Sequence, residues 1–325
     1  MFEQPPYRPP SEARSLLIRA TRNCPWNRCA FCDMYKGKRF EIRPVDEVKS
    51  DIWRARHLYD RVMALAQQQG YAGRESELAA AYSIPWVKPG GEITVFLADS
   101  NSLVMRTADL GEIISCVYEA FPRLQRVTSY ARAHTILRKT PEELRALAEA
   151  GLTRVHIGLE TGGDELLAII QKGATADQMI QAGRRAKDAG LSVSEYVILG
   201  LGGADRWERH AVNTARVLNQ IDPEFIRLRT IMILPGTQLA EMEQRGEFSV
   251  PTAEEILREE RRLVAELDVH SLFVSDHVSN YLALDGRLPE DKPLMLQALD
   301  TALDVLRTSP ETAKQFLQPE ELRRP

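Results

Sequence analysis

Cys24-Pro25-Trp26-Asn27-Arg28-Cys29-Ala30-Phe31-Cys32 gathers three of the chain's four cysteines into one short run, spaced C-x4-C-x2-C. A disulfide framework spreads its cysteines along the chain, so clustered thiols point to metal or redox chemistry. Thiolates are soft ligands that select zinc, copper(I) or iron–sulfur clusters. Structural zinc asks for four tetrahedral protein ligands. The nearest histidine, His57, falls in the middle of a helical pattern, and Cys116 lies far off. An ordinary four-iron cluster takes four cysteines. Three would leave one iron open to a substrate or cofactor.

Immediately before this loop, Ser15-Leu-Leu-Ile-Arg-Ala-Thr21 reads as a short strand, preceded by an irregular N-terminal arm over residues 1–14. After the loop, apolar residues recur at helical spacing from Val45 to Gln69. Residues 70–92 carry turn signals and read as an insertion or loop with a short helix near Glu75 to Ala81. A strand–helix alternation follows, with strands expected at Ile93–Ala98, Arg126–Tyr130, Arg154–Leu159, Val193–Leu199 and Phe225–Ile233. The helices between them announce their starts. Thr140-Pro141-Glu142-Glu143 places a hydroxyl at the N-cap, proline at N1 and glutamate at N3, a capping box. Thr175 with Gln178 and Thr252 with Glu255 repeat it, and Gly151 and Gly190 stand where a left-handed C′ residue is wanted.

Together with the first strand this makes six mostly apolar strands, as parallel strands covered on both faces should be. Six strands close part of a barrel or form a doubly wound sheet. Polar residues gather just beyond the strand ends, and in a barrel those ends form the active-site face. The expected fold is therefore α/β: a partial (β/α)6 TIM-like barrel over residues 15–246. Residues 247–325 read as a helical C-terminal extension, a possible lid, with one further apolar stretch at Ser271–Val278.

The 325 residues are 44% hydrophobic and 27% charged, ordinary for a globular protein with a sizeable core. A net charge of −4 argues against a sequence-independent nucleic-acid binder, which is usually basic. No apolar run approaches the ~18–20 residues that span a bilayer. Met1 to Pro10 is polar and proline-rich, without the apolar core of a signal peptide, so a cytoplasmic location is expected.

The cysteine loop after a first strand, with aromatic Phe31 before its last cysteine, resembles the radical S-adenosylmethionine (SAM) superfamily. The commonest spacing there is C-x3-C-x2-C, and this chain carries one additional residue in the first gap. The resemblance runs from about Leu16 to Leu239 and looks closest to the set holding oxygen-independent coproporphyrinogen oxidases, methylthiotransferases and the Elongator catalytic subunit. It implies a [4Fe–4S] cluster on Cys24, Cys29 and Cys32, with SAM on the open iron. Phe96-Leu-Ala-Asp99-Ser100-Asn101-Ser102 occupies the place where the family contacts the SAM amino group. Val127-Thr-Ser129-Tyr-Ala-Arg132 ends the third strand, where polar side chains meet SAM. Glu160, in His156-Ile-Gly-Leu-Glu160-Thr-Gly162, would hold the ribose hydroxyls. Lys172 aligns with a cation that pairs with the SAM carboxylate, and Val197 to Gly202, with Leu199 at its centre, with the segment packing against adenine.

Plainer roles exist for each residue. Asp99 and Asn101 can cap the following helix, Glu160 can be a solvated loop residue, and Lys172 can complement a helix dipole. Ser129 and Arg132 can be strand-end residues, and Cys116 a small core residue. In the extension, Ser275-Asp276-His277-Val278-Ser279-Asn280-Tyr281 crowds polar groups behind an apolar stretch. Asp276 and His277 are the candidates there for acid–base chemistry, against a structural turn. Arg227 and Arg229 share one face of the last core strand and suit an anionic substrate, or else bridge to strand-end acids.

The resemblance implies an enzyme that reductively cleaves SAM to a 5′-deoxyadenosyl radical, which takes hydrogen from a substrate. A small-molecule substrate is expected, with an external electron donor such as a flavodoxin or ferredoxin. Only Cys116 remains after Cys32, so no auxiliary cluster held by three or four cysteines is expected. Nor is a cobalamin domain or an acetyltransferase domain of the Elongator kind. The competing readings are an RNA-modifying radical enzyme, with Arg184, Arg185 and Lys187 as its thin basis, an electron carrier, and a structural-metal protein.

Overall fold

The structure, a computed structural model, describes residues 2–308, so Met1 and the expected C-terminal extension beyond residue 308 lie outside the described residues. Two compact units divide the chain. The first comprises Met1–Pro25, Gly37–His156 and Ala186–Ser192; the second comprises Trp26–Lys36, Ile157–Arg185 and Val193–Pro325.

In the first unit, β1 (Leu16–Arg19) leads into a two-stranded antiparallel ribbon of β2 (Thr21–Arg22) and β3 (Glu41–Ile42), which the sequence did not announce. Helix α1 (Val45–Gln68) buries Val48, Ile52, Ala55, Tyr59 and Val62, the apolar stripe read from its spacing. The 70–92 region folds as α2 (Glu75–Ala81) and a single turn at Pro89–Gly91. Here Tyr59, Trp86 and Phe121 pack ring against ring. Strand β4 (Ile93–Ala98) is buried at every position, as a parallel strand between two layers should be. It pairs in parallel with β1 (Leu17 with Phe96) and with β5 (Leu124–Ala131; Phe96 with Thr128). Helices α3 (Thr107–Ala120), α4 (Ala133–Arg138) and α5 (Pro141–Glu149) follow. The capping box on α5 is present: Glu143 N–H donates to Thr140 Oγ1 at 3.2 Å and Thr140 N–H to Glu143 Oε2 at 2.8 Å. Gly151 ends α5 with φ of 110°, and a Cβ there would run into the Tyr118 ring. Cys116 is buried in α3, the core position expected of it.

Strand β6 (Leu152–Glu160) begins in the first unit and ends in the second. Next along the chain come α6 (Asp164–Ile169), α7 (Ala176–Asp188), β7 (Ser192–Leu199), α8 (Gly203–Ile221) and β8 (Phe225–Thr230), all in the second unit except residues 186–192, which belong to the first. Thr175 and Gln178 form the expected reciprocal cap on α7, at 2.9 and 3.2 Å. Helix α9 (Gln238–Gln244) and α10 (Ala253–Glu266), with its Thr252–Glu255 box, precede β9 (Leu272–Ser275), β10 (Leu284–Arg287) and α11 (Lys292–Thr308).

The sheet order is β1-β4-β5-β6-β7-β8-β9-β10, eight strands and mostly parallel. This is the α/β architecture expected, with one correction. The extension is not only helical: β9 joins β8 in parallel, and β10 returns antiparallel to β9. Strand β8 also stops at Thr230 instead of Ile233, because its partner β7 ends opposite it at Leu199, where Gly200 turns away with φ of 79°.

Candidate active site

Asp99 lies at the carboxyl end of β4 and is nearly fully buried. One of its oxygens, Oδ2, accepts from Arg19 Nε and Nη2 at 2.9 and 2.7 Å and from Asn23 N–H at 2.8 Å. The other, Oδ1, is buried with no hydrogen-bond partner. Burial raises this carboxyl above its ordinary pKa, opposed by the Asn23 amide and by Arg19. Asp99 therefore fixes the backbone just before Cys24 instead of capping a helix, and keeps one acceptor in reserve. Ser100 donates to Asn23 O at 2.9 Å, a second tie to the same residue. Asn101 does not cap either: its Nδ2 donates to Thr135 Oγ1 at 2.7 Å, and Arg132 N–H donates to its Oδ1 at 3.4 Å. Ser129 is fully buried and donates to Leu97 O at 3.1 Å, which is the strand-end role.

Within the second unit, the later half of the cysteine loop is anchored by its own backbone and side chains. Trp26 Nε1 donates to Gln171 O at 2.7 Å, and the Trp26 ring fills the space where Gly173 has no side chain. Ala30 N–H donates to Ile170 O at 2.9 Å, and Leu239 N–H to Ala30 O at 2.9 Å. Ala30 belongs to an apolar cluster with Ile170, Leu201, Ile231, Leu239 and Phe248, against which Phe31 and Ile198 pack. Cys24, Cys29 and Cys32 are joined by no disulfide, and each is half-buried. Among the described residues no three His, Cys, Asp or Glu side chains group as donors to a single metal ion. A cluster spreads its thiolates over separate irons, so it does not need such a grouping.

Glu160 is the last residue of β6, with φ of 63°, and its Oε1 accepts from Lys172 Nζ at 2.7 Å. Both side chains are nine-tenths buried. Gly158 makes this possible, since a Cβ there would collide with the Glu160 carboxylate and the Lys172 ammonium. Neither is a solvated loop residue. Two of the residues that the family resemblance assigned to SAM, Glu160 and Lys172, are thus brought together.

Sequence reading missed three groups. Arg19, on a short apolar strand, holds Asp99. Glu195, in the apolar run of β7, is fully buried with both oxygens unpartnered. Burial pushes its carboxyl well up, opposed by Lys172 and reinforced by Glu160. A carboxylate inside Val193 to Leu199 was the available signal. Glu259, from α10, accepts Gly200 N–H at 3.0 Å and lies 2.7 Å from His210 Nδ1, so it pins the turn after Leu199. Leu199 itself is buried at the end of β7.

In the extension, Asp276 is exposed, while His277 Nδ1 accepts Ser279 N–H at 3.1 Å. No hydrogen bond joins the two. Burial, then the neighbouring Arg229, hold His277 down at about 4, with Asp276 opposing. His277 is therefore a neutral imidazole at physiological pH.

A mostly parallel α/β sheet with a thiol-rich loop after its first strand is the architecture of a partial-barrel core. The chain belongs to the radical SAM superfamily, whose profile it matches over residues 18–215. It is similar to the tRNA uridine(34) acetyltransferase of Methanocaldococcus jannaschii, 30% identical over 118 residues, 36% of this chain and 22% of that protein. It is also similar to the biotin synthase of Nitratidesulfovibrio vulgaris (Hildenborough), 29% identical over 126 residues, 39% of this chain and 34% of that one. The chain thus spans only about a fifth of the length of the acetyltransferase. Among solved structures, coproporphyrinogen III oxidase (HemN) from Escherichia coli superposes with a TM-score of 0.51 at 14% identity, over 79% of this chain and 54% of that one. At that identity the likeness carries the fold alone. As a member of the superfamily the chain is an enzyme whose chemistry needs a reductant and a substrate. No helix among the described residues is long and apolar enough to cross a membrane.

Proposed function

We propose that this chain holds a [4Fe–4S] cluster on Cys24, Cys29 and Cys32, binds SAM, and abstracts hydrogen from a small-molecule substrate. When bound, the cluster and SAM supply a one-electron cleavage of the S–C5′ bond, giving methionine and a 5′-deoxyadenosyl radical that leaves as 5′-deoxyadenosine after taking the substrate's hydrogen atom. The electron comes from an external donor such as a flavodoxin or ferredoxin. Three cysteines clustered in one run, not spread as a disulfide framework, suit a cytoplasmic location.

The residues fit these groups. Three cysteine thiols would leave one iron of a bound cluster without a protein ligand. The buried, unpartnered Asp99 Oδ1 suits an ammonium donor such as the SAM amino group. The Glu160–Lys172 pair offers an acceptor for ribose hydroxyls and a cation for a carboxylate. Glu259 fixes the backbone at Gly200, and with it the end of β7 that would face adenine. The protein's part is orientation and exclusion of water. What carries the reading is the three-cysteine loop lying inside the superfamily match.

The test is anaerobic reconstitution with iron and sulfide, then SAM and dithionite, reading 5′-deoxyadenosine. The expected outcome is cleavage in the parent and its loss in Cys29→Ala, whereas Cys116→Ala keeps both iron and activity. A fully loaded parent that forms no 5′-deoxyadenosine overturns the reading. A second reading, an RNA substrate, draws on the similarity to the tRNA uridine(34) acetyltransferase. The net charge of −4 counts against it, and tRNA-stimulated SAM cleavage would establish it.

A further inference from the structure

Arg227 and Arg229 stand two residues apart on β8 and so share one face. The register pairs Tyr196 with Arg227 and Ile198 with Arg229, so these four side chains line the same side of the sheet. Ile198 packs against the apolar cluster that also receives Phe31 of the cysteine loop. The arginines therefore occupy the sheet face on which that loop is seated.

Neither charge is met by a direct carboxylate contact. Among the described residues, no hydrogen bond or ion pair joins either guanidinium to a carboxylate. Arg227 lies over the Phe225 ring at 5.5 Å and Arg229 over the Tyr196 ring at 5.4 Å. Arg227 Nε is buried without a hydrogen-bond partner. Of the nearby acids, Asp285 feels the charge of Arg227 while it accepts Ser275 N–H at 3.1 Å, and Asp276 is exposed. Two half-buried cations side by side repel each other and lose hydration, a cost that an anion between them would remove. Aromatic faces steady each guanidinium while leaving its N–H fork open.

His277 lies near enough to Arg229 to feel its charge, and it offers one donor. Its Nδ1 accepts Ser279 N–H, which in the neutral ring puts the proton on Nε2. The segment carrying it is braced by buried Asn280, whose Nδ2 donates to Leu228 O at 3.1 Å and Ser275 Oγ at 2.9 Å. Thr230 Oγ1 donates to Asn280 Oδ1 at 3.1 Å, tying the segment to the end of β8. The segment carrying His277 is thus held against the strand that carries both arginines.

We propose that Arg227, Arg229 and the Nε2–H of His277 form a subsite for an oxyanion, the carboxylate or phosphate of a small-molecule substrate. The inference rests on the reading above that the substrate is a small molecule. A guanidinium fork matches both groups in a bidentate way, which a lysine would not.

The experiment is calorimetric titration of the full chain with inorganic phosphate and, separately, with succinate. At least one should bind, and which one distinguishes phosphate from carboxylate substrates. Arg227→Gln and Arg229→Gln should each weaken that binding by about tenfold or more, since each removes charge-assisted hydrogen bonds. Arg229→Lys, which keeps the charge and loses the fork, should fall between parent and Arg229→Gln. Arg184→Gln, an exposed arginine on α7, should bind as the parent does. The glutamine variants are compared only where circular dichroism and melting match the parent, and the lysine variant serves where they do not. Equal affinity in the parent and both arginine variants overturns the subsite, as does failure of both anions to bind at tens of millimolar. SAM cleavage by the parent is read in a separate assay. Its failure would remove the radical reading while leaving the anion titration interpretable.

Discussion

Glu12, in the first unit, and Glu260, on α10 in the second, are both fully buried carboxyls, and their surroundings treat them oppositely. Glu12 accepts from Ser15 Oγ, from Arg126 Nη2 at 3.1 Å and lies 3.3 Å from His156 Nε2. Burial alone would raise its pKa, but the His156 and Arg126 contacts with Ser15 win and bring it down to about 2. Glu260 has no donor in hydrogen-bond geometry at either oxygen. Burial pushes it up to about 8, opposed by the nearby Ser275 hydroxyl and reinforced by Glu259. The first carboxyl is an ionic staple of the N-terminal arm; the second is a neutral acid with unused hydrogen-bonding capacity. The difference teaches that burial decides the cost of a charge, and the partners decide whether the charge persists.

The largest effect should come from breaking the answered carboxyl. Glu12→Gln leaves Arg126 and His156 without their anion and should cost about 3–5 kcal/mol at pH 7, as removing one partner of a buried pair does. The pH dependence has a definite sign. A folded value of about 2 against an ordinary 4.5 means the stabilisation is complete above 4.5 and disappears as pH falls toward 2. Urea unfolding across that range should show a steep acid limb in the parent and a flatter one in the variant. A cost under about 1 kcal/mol would put Glu12 with ordinary surface ion pairs and erase the contrast.

Changing the unanswered carboxyl should act in the opposite direction. Below an ordinary 4.5 both states of Glu260 are protonated, so Glu260→Gln changes little there. Between 4.5 and about 8 the unfolded chain releases a proton that the folded chain keeps, and the parent loses stability as pH rises. The glutamine variant does not titrate, so its advantage should grow to about 2–4 kcal/mol by pH 8 and then level off. Thermal unfolding at several pH values measures it. A variant that is less stable than the parent at pH 8 would show that the ionised carboxylate is held by a contact of its own.

The contrast also marks what can be read along a chain. The cysteine loop, the Thr140, Thr175 and Thr252 caps and the apolar stripe of α1 are decided within a few turns of themselves, so their residues announce them. Strand β10 is not of that kind. Leu284-Asp285-Gly286-Arg287 has one apolar residue and becomes a strand by pairing with β9, Leu284 against Ser275. The end of β8 is likewise set by where β7 stops. Of the site, the thiols and Glu160 were legible as motifs, and the Lys172 side chain as its partner was not, because twelve residues and a bare Gly158 separate their meeting. Glu12, Glu195, Glu259 and Glu260 sat unremarked because a buried acid looks like a solvated one until its distant partners, or their lack, are seen.

Asp99 combines both conditions in one side chain, and it gives the smallest and most discriminating test. Its Oδ2 is answered by Arg19 and by the Asn23 amide, and its Oδ1 is orphaned. Asp99→Asn keeps one carbonyl oxygen, which can still accept from Arg19 and Asn23, so the loop should hold. The lost charge weakens those bonds toward neutral strength, a stability cost of about 1 kcal/mol. The amide nitrogen must then take the Oδ1 position, where it is a donor in place of an acceptor. If Oδ1 meets the SAM ammonium, two donors face each other, and SAM affinity should fall at least about tenfold while iron content stays at the parent's level. Unfolding midpoint, iron per chain and SAM affinity by anaerobic dialysis separate the two halves of the residue. Loss of iron together with stability would make Asp99 only a brace for the cysteine loop. Unchanged SAM affinity would show that the orphaned oxygen answers to no ligand and that Asp99 belongs with Glu12 as structure.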